Sequence, residues 1–270
     1  MIAFILPKGD DKLYGALLFQ KNKNFKVYVP ENDVWAKDYE GKLQIVRGSL
    51  PEVQEPLVCF LESGASPDAN FAGRILRAAE RHPNFDVYHV NTPGGRRFPR
   101  KAKVAKLFRL MVLENASAPF SGFIFRTERL REKAVFKADG SLDPIPTVLA
   151  AASERPVRNV WRGSLEWTPA QQSTNPMDEE KRIREKLDLF RWSESFFGDD
   201  NYPLSVGDQM SLFAGEVAKL YPSYTPDNLK EIMNSFQVAQ GPIRKVRAAA
   251  ALKSAIKARQ KELQRAAAAE

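Results

Sequence analysis

The sequence has one cysteine and two histidines in 270 residues. A single cysteine excludes an intramolecular disulfide, and Cys59 lies inside the apolar run Leu-Val-Cys-Phe-Leu, where it reads as a small buried residue rather than a reactive thiol. His82 and His89 have no cysteine or further histidine beside them, which argues against a zinc site. Long apolar runs are also missing. No stretch approaches the roughly 20 apolar residues that span a bilayer. The start MIAFILPKGDDK lacks the basic n-region and the apolar length of a signal peptide. A soluble cytoplasmic chain is expected, with peripheral attachment to a membrane left open. No internal repeat on the scale of roughly 20–50 residues is evident.

What is present is enough for a sizeable core: 43% apolar and 27% charged residues, which excludes wholesale disorder and a disulfide-stapled miniprotein. The length fits one large domain, or a medium one with an appendage. The net charge of +8 is local rather than general. Residues 94–109 carry seven basic side chains and no acidic one, and residues 241–270 carry eight basic and two acidic, so the rest of the chain is mildly acidic. Seven cations without an acid repel one another and point to an anionic partner. Nucleic acid is the weaker choice of partner, because the segment holds Phe98 and Phe108 but no nucleic-acid-binding motif.

Short apolar runs at Ile2–Leu6, Lys26–Val29 and Leu43–Val46 read as strands. Leu57–Leu61 is apolar at every position, as a strand covered on both faces should be, which favours a largely parallel sheet flanked by helices. Ser66 and Pro67 are placed to open a helix running to His82-Pro83. Strands follow at Asp86–Val90 and Phe120–Arg126, helices at Thr127–Lys133 and Pro144–Ala152, and a strand at Val157–Trp161. Strand, helix, strand in this order is an α/β unit. From about Pro176 the texture is helical, with segments at Met177–Phe197, Leu204–Tyr221, Asp227–Gln237 and Ile243–Ala269. The division expected is a core over 1–170 and a helical extension over 171–270.

The block LVCFLESGASPDANFAGRILRAAERHPNFDVYHV resembles the middle of family 2 glycosyltransferases, which have the GT-A fold. There an apolar strand ends in an Asp-x-Asp motif, followed by a proline-started helix and a further strand. The block APFSGFIFRTERLREKAVFKADGSLD is similar to that family's small-Gly-hydrophobic-Phe-Arg strand, helix and acidic segment, and IAFILPKGDD to its first strand and proline. The resemblance implies transfer of a sugar from a nucleotide-diphospho-sugar to a hydroxyl of a saccharide or glycolipid acceptor, in surface polysaccharide or glycoconjugate assembly. It also implies a divalent metal, Mg²⁺ or Mn²⁺, neutralising the diphosphate leaving group. Carried over residue by residue, Pro7, Glu31, Asp33, Glu62 and Ser63 fall at donor-binding positions, Glu62 at the metal position, and Asp143 with its neighbour Asp139 at the position of the catalytic base.

Glu62-Ser63-Gly64 departs from Asp-x-Asp by offering one carboxylate and one hydroxyl. No counterpart of the family's arginine-bearing helix stands between the second strand and Glu62. Each site residue therefore has a second reading. Glu62 is a metal or phosphate ligand, or a solvated loop acid. Asp143 is a base, or the cap of the helix that Pro144 opens. Arg96 and Arg97, with Arg100 and Lys101 near them, are a solvated loop, or the cations that replace the weakened metal site. Trp35, Trp161, Trp167 and Trp192 are packed, or Trp161 and Trp167 stack on a sugar. The alanine-rich segment 243–269 is a helix packed on the core or a partner, or one that binds anionic headgroups. The whole chain is a transferase, or a catalytically degenerate sugar- or partner-binding module of the same fold.

Overall fold

The computed structural model describes residues 1–91, 98–113, 119–160, 165–167, 176–198, 201–235 and 242–268. Two compact units divide the chain, Met1–Ala170 and Gln171–Glu270. The first is a mixed α/β unit built on an eight-stranded sheet, and the second is helical.

The sheet begins with β1 (Ile2–Ile5), β2 (Phe25–Val29), β3 (Ile45–Arg47) and β4 (Leu57–Phe60), which form the parallel order β3-β2-β1-β4. Every residue of β1 and β4 is buried, as full coverage on both faces requires. Beyond β4 the order continues β8-β6-β9-β7, with β6 at Val87–Val90, β7 at Lys101–Ala102, β8 at Phe123–Arg126 and β9 at Val157–Val160. β8 runs antiparallel to both β4 and β6, and β7 is antiparallel to β9. The sheet is thus mostly parallel, with one reversed strand inserted between the two strands of the expected α/β unit. A two-stranded ribbon of β5 (Ala65–Pro67) and β10 (Leu165–Trp167) stands apart from it.

Two helices depart from the sequence expectation. α1 (Asp11–Leu18) occupies a stretch to which the sequence pattern assigned no element. Asp10 caps it through a 2.8 Å bond from the Leu13 amide, and Leu13, Tyr14 and Leu17 enter the core with Phe4, Phe25 and Phe71. α3 (Phe71–Arg81) starts four residues later than the Ser66-Pro67 signal indicates, because Ala65–Pro67 is committed to β5. Its cap is remote. The buried Gln20 side chain, just past α1, accepts from the Ala72 amide at 3.0 Å and donates to the Asp68 carbonyl at 2.6 Å. An orphan donor of the helix start is satisfied from 52 residues away.

Between these lie the short helix α2 (Ala36–Tyr39), then α4 (Val104–Phe108), α5 (Thr127–Lys133) and α6 (Pro144–Ala151). The second unit consists of α7 (Pro176–Phe197), α8 (Val206–Ala218), α9 (Pro226–Ser235) and α10 (Pro242–Ala267). Ser205 caps α8 and Thr225 caps α9 through their hydroxyls. Among the described residues no helix is long and apolar enough to cross a membrane.

One ion pair joins a buried carboxylate to a partly exposed lysine of β2. Glu55 accepts from Lys26 Nζ and from the Tyr28 hydroxyl, both at 2.8 Å. Burial pushes the carboxyl upward, but Lys26 and Tyr28 outweigh it and hold the group below its usual range. Glu55→Ala strands the hydroxyl of buried Tyr28, so urea unfolding is expected to show a loss of about 1–3 kcal/mol at neutral pH. Because the folded carboxyl is depressed, that contribution is present above its ordinary titration range and is lost as pH falls through the folded value. The gap between wild type and variant should therefore narrow in acid. A constant gap would remove the carboxylate from the account.

Candidate functional site

Parallel strands that end at one level leave a crevice beyond their carboxyl ends, where open α/β sheets place ligands. A cleft of about 1060 Å³ lies there. Ile5, Leu6 and Pro7 leave β1 into it, Pro30 and Glu31 leave β2, and Phe60 and Glu62 leave β4. The turn Gly48–Glu52 forms one wall. The opposite wall is the end of α5 with a hairpin over Val135–Asp143, contributing Arg131, Ala134, Phe136 and the segment Gly140–Leu142.

Glu62 is held from behind. Its amide donates to Ser121 Oγ at 2.8 Å, and that hydroxyl donates to Glu62 Oε2 at 3.3 Å. Ser121 is fully buried in the turn before β8, and its carbonyl accepts from the Cys59 thiol at 3.4 Å. Burial, with Glu62 adding to it, pushes the Cys59 thiol well up, so it is an inert packing group as its sequence context indicates. Ser63 turns away from Glu62 and donates to Asp10 Oδ2 at 3.0 Å, tying the loop after β4 to the cap of α1.

Asp33 is a brace rather than a lining residue. Its Oδ2 accepts from the Gly9 amide at 3.1 Å and its Oδ1 from the Ala36 amide at 3.0 Å, which fixes the Pro7–Asp10 loop against the start of α2. Burial first, then the Asp33 charge, raises the Tyr14 hydroxyl above its ordinary value. Glu31 does line the cleft, and its carbonyl accepts from Arg47 Nη1 at 2.7 Å. Arg47, which also pairs with Glu40 at 2.9 Å, is a positioning arginine that sequence reading missed. It lies at the end of β3, where a helix was looked for. The run Ile-Val-Arg at a strand end was the available signal.

On the opposite wall the hairpin closes through Lys137 N to Ser141 O and Asp143 N to Val135 O, both at 2.8 Å, with Gly140 at φ +80° in its turn. Asp139 Oδ1 accepts from the Ser141 hydroxyl at 2.5 Å and its amide at 2.9 Å, and these bonds lower the Asp139 carboxyl. That is a turn-forming role, and a lowered carboxyl is a weaker base. Asp143 stands at the N-cap position of α6 with Pro144 following, yet its side chain makes no capping hydrogen bond to the helix. Leu142 and Pro144 on either side of it line the cleft. The buried Thr147 hydroxyl clamps the base of the hairpin, accepting from Val135 N at 3.0 Å.

Pro7, Glu31 and Glu62 therefore meet in one cleft, with Asp143 at its edge, while Asp33 and Ser63 brace the loops behind. Arg96, Arg97 and Trp161 lie outside the described residues, as does the side chain of Trp167. Lys101 is in β7 at the sheet edge, four strands from β4, or roughly 19 Å at the usual strand spacing. Trp35 is partly exposed beside Asp33, and Trp192 stacks on Phe196 in the helical unit. Among the described residues no group of three or more His, Cys, Asp or Glu side chains is placed to hold a metal. Glu62 alone, with Ser121 on one oxygen, fits only a cation that brings most of its ligands as phosphate or water.

No family model and no curated protein matches the sequence. Solved structures match the fold. The structure of S. aureus TarS 1–349 aligns with a TM-score of 0.55 at 13% identity, covering 97% of this chain and 91% of that one. The same protein in complex with UDP-GlcNAc aligns at 0.52 and 11% identity, covering 97% and 92%, and with UDP at 0.51 and 11%, covering 97% and 91%. These neighbours are of GT-A type, and the likeness shows that this chain has a GT-A-like fold.

Two substitutions test the packing behind the cleft. A Cβ built on Gly9 meets Tyr14 Cε2 at 2.5 Å and Asp33 Oδ2 at 2.8 Å. Gly9→Ala should cost about 1–3 kcal/mol by overpacking, read as a lower melting temperature; an unchanged one would show that the loop is not clamped. His89 on β6 is buried against Phe98 and Phe123, and both of its ring nitrogens lack hydrogen-bond partners. Burial lowers its pKa from 6.5 to about 3. The unfolded chain then binds the proton that the folded chain refuses, so stability falls as pH drops below about 6.5. At pH 5 His89 costs about 2 kcal/mol, and His89→Leu should flatten the stability profile between pH 7 and 5.

Proposed function

We propose that the chain transfers a sugar from a nucleotide-diphospho-sugar to an acceptor hydroxyl, with Met1–Ala170 as the donor-binding core and the helical unit as an extension. The observation that carries this reading is the cleft itself: Pro7, Glu31 and Glu62 arrive at one level from β1, β2 and β4 of a GT-A-like sheet. Support comes from the matched TarS structures, one holding UDP and one UDP-GlcNAc. On this reading Pro7 and Glu31 face the nucleoside, with Arg47 fixing the Glu31 backbone and Asp33 the loop behind Pro7. Glu62 stands at the diphosphate, its rotamer set by Ser121.

The chemistry asks for a base at the acceptor oxygen and for positive charge at the departing diphosphate. On this reading Asp143, at the position of the family's base and beside the cleft-lining Leu142 and Pro144, is that base, while Asp139 is lowered by its turn bonds. Positive charge is scarce in the described cleft. Arg131 is its one cationic lining residue and donates to the Pro51 and Val53 carbonyls. The cation accordingly arrives as Mg²⁺ or Mn²⁺ carried on the donor with Glu62 as its protein carboxylate, or from Arg96 and Arg97. The acceptor is a saccharide or glycolipid, and the reaction belongs in the cytoplasm, in surface polysaccharide or glycoconjugate assembly. A second reading, a sugar- or partner-binding module without catalysis, is favoured by the single carboxylate after β4.

A panel of nucleotide-sugars, measured by thermal shift with and without Mn²⁺, should find at least one stabilising donor. Stabilisation by none of them would sink both the donor site and the activity. Asp143→Asn should keep the donor-induced shift and lose turnover by about 10²–10⁴-fold. Glu62→Gln should weaken the shift itself, most where Mn²⁺ is present. A stabilising donor with no turnover against any saccharide or glycolipid acceptor, in wild type as in Asp143→Asn, would favour the binding module.

A further inference from the structure

α10 carries a feature that donor chemistry does not use. Ala248, Leu252 and Ile256 are its buried face, packed on α8. On the solvent side Lys253, Lys257, Lys261 and Arg265 are all exposed at four-residue intervals, which aligns them as one ladder about 18 Å long. Arg247 is exposed one turn and a half before it. Among the described residues none of these five makes an ion pair, while Arg259 pairs with Glu262 on the same helix.

The contrast with α7 in the same unit is informative. There Arg182, Arg184 and Arg191 each pair with an acid three or four residues away, and Lys186 pairs with Glu216 of α8. Cations kept for helix stability or solubility look like α7. Like charges four residues apart destabilise a helix, and Arg244, Lys245 and Arg247 stand at the end where the helix dipole disfavours cations. A ladder kept at that cost has an anionic counterpart.

The geometry points to a bilayer surface rich in anionic headgroups as that counterpart, with α10 lying along it. A straight helix presents a line of charges to a plane, and long lysine stems let the ammonium groups reach the headgroups. Ser254, Ala250, Ala258 and Gln264 flank the ladder, and Val246, seven residues before Lys253, is the large apolar side chain exposed on the described part of the helix. The attachment is electrostatic adsorption, reversible and salt-sensitive. Aromatic rings, on which single-stranded nucleic acid would stack, are absent from α10.

Co-sedimentation of the full chain with phosphatidylcholine vesicles containing phosphatidylglycerol in about one-third of the lipid tests this. Wild type should bind these vesicles and leave pure phosphatidylcholine vesicles unbound. Binding should vanish as salt rises from about 0.1 M to 1 M, where the screening length falls from about 10 Å to 3 Å. Lys253→Gln, Lys257→Gln and Lys261→Gln together should weaken partition on the order of 100-fold, and the corresponding triple change to Arg should keep it. A thermal melt and far-UV spectrum unchanged from wild type would certify both variants as folded. Equal binding to uncharged vesicles, binding that survives 1 M salt, or a Gln variant that still binds would each overturn the proposal. So would tighter binding to double-stranded DNA than to the vesicles, which would reassign the ladder to nucleic acid.

Discussion

Burial of β1 on both faces and both edges is the constraint on which the rest of the first unit depends. A four-residue strand with nothing exposed has one way to satisfy its backbone, through β2 on one side and β4 on the other. The register that results pairs Ile5 with Tyr28 and with Phe60. Three chains therefore leave the sheet at one height. Pro7, Pro30 with Glu31, and Glu62 meet in a cleft because the strands beneath them pair in this register. The site is a consequence of register before it is a set of chemical groups.

Register brings the loops together but does not hold them; a few buried or half-buried polar side chains do. Gln20 satisfies the start of α3, Asp33 joins Gly9 to Ala36, Ser121 carries both ends of Glu62, and Thr147 closes the hairpin. Each bonds backbone groups that would otherwise be stranded beneath a loop, where an unsatisfied group costs about 1–3 kcal/mol. Their energetic weight makes them rigid, and their rigidity lets the lining residues be few. Ser63, which looked like part of an acidic motif, is instead an exposed tie between the loop after β4 and Asp10.

The parts legible in the sequence were those fixed by local apolar pattern. The all-apolar Leu57–Leu61 gave a doubly covered strand, and the breaker-separated run after Pro176 gave four helices with ends within a few residues of those observed. What escaped was decided at a distance. Ser66 and Pro67 form a good helix start, yet pairing with β10 claims them and Gln20 caps α3 instead. Asp10 had every property of a cap for α1, but two aspartates after a proline and a glycine read equally well as a loop. β8 carries the same apolar pattern whichever way it runs, so its reversal between β4 and β6 had no local signature. At the site, the resemblance pointed to Pro7, Glu31 and Glu62, and these three line one cleft. The bonds that separate Asp139, bound in its turn, from Asp143 exist only in the folded hairpin.

The charge of the chain takes its meaning from this separation. In the described part of the cleft Glu31, Glu52 and Glu62 outnumber Arg131, and both Glu52 and Arg131 are engaged, with Ser49 and with the Pro51 carbonyl. On the proposed reading, a diphosphate entering such a place is neutralised by a cation that the described walls do not supply. Within the first unit the described Lys101 lies in β7 at the sheet edge, four strands from β4, and the ladder of α10 belongs to the second unit. Cations spread over the cleft walls would bind any phosphate and discriminate poorly among them. On the proposed reading, a cleft whose described walls are acidic favours an anion that brings its own counter-ion over one that does not.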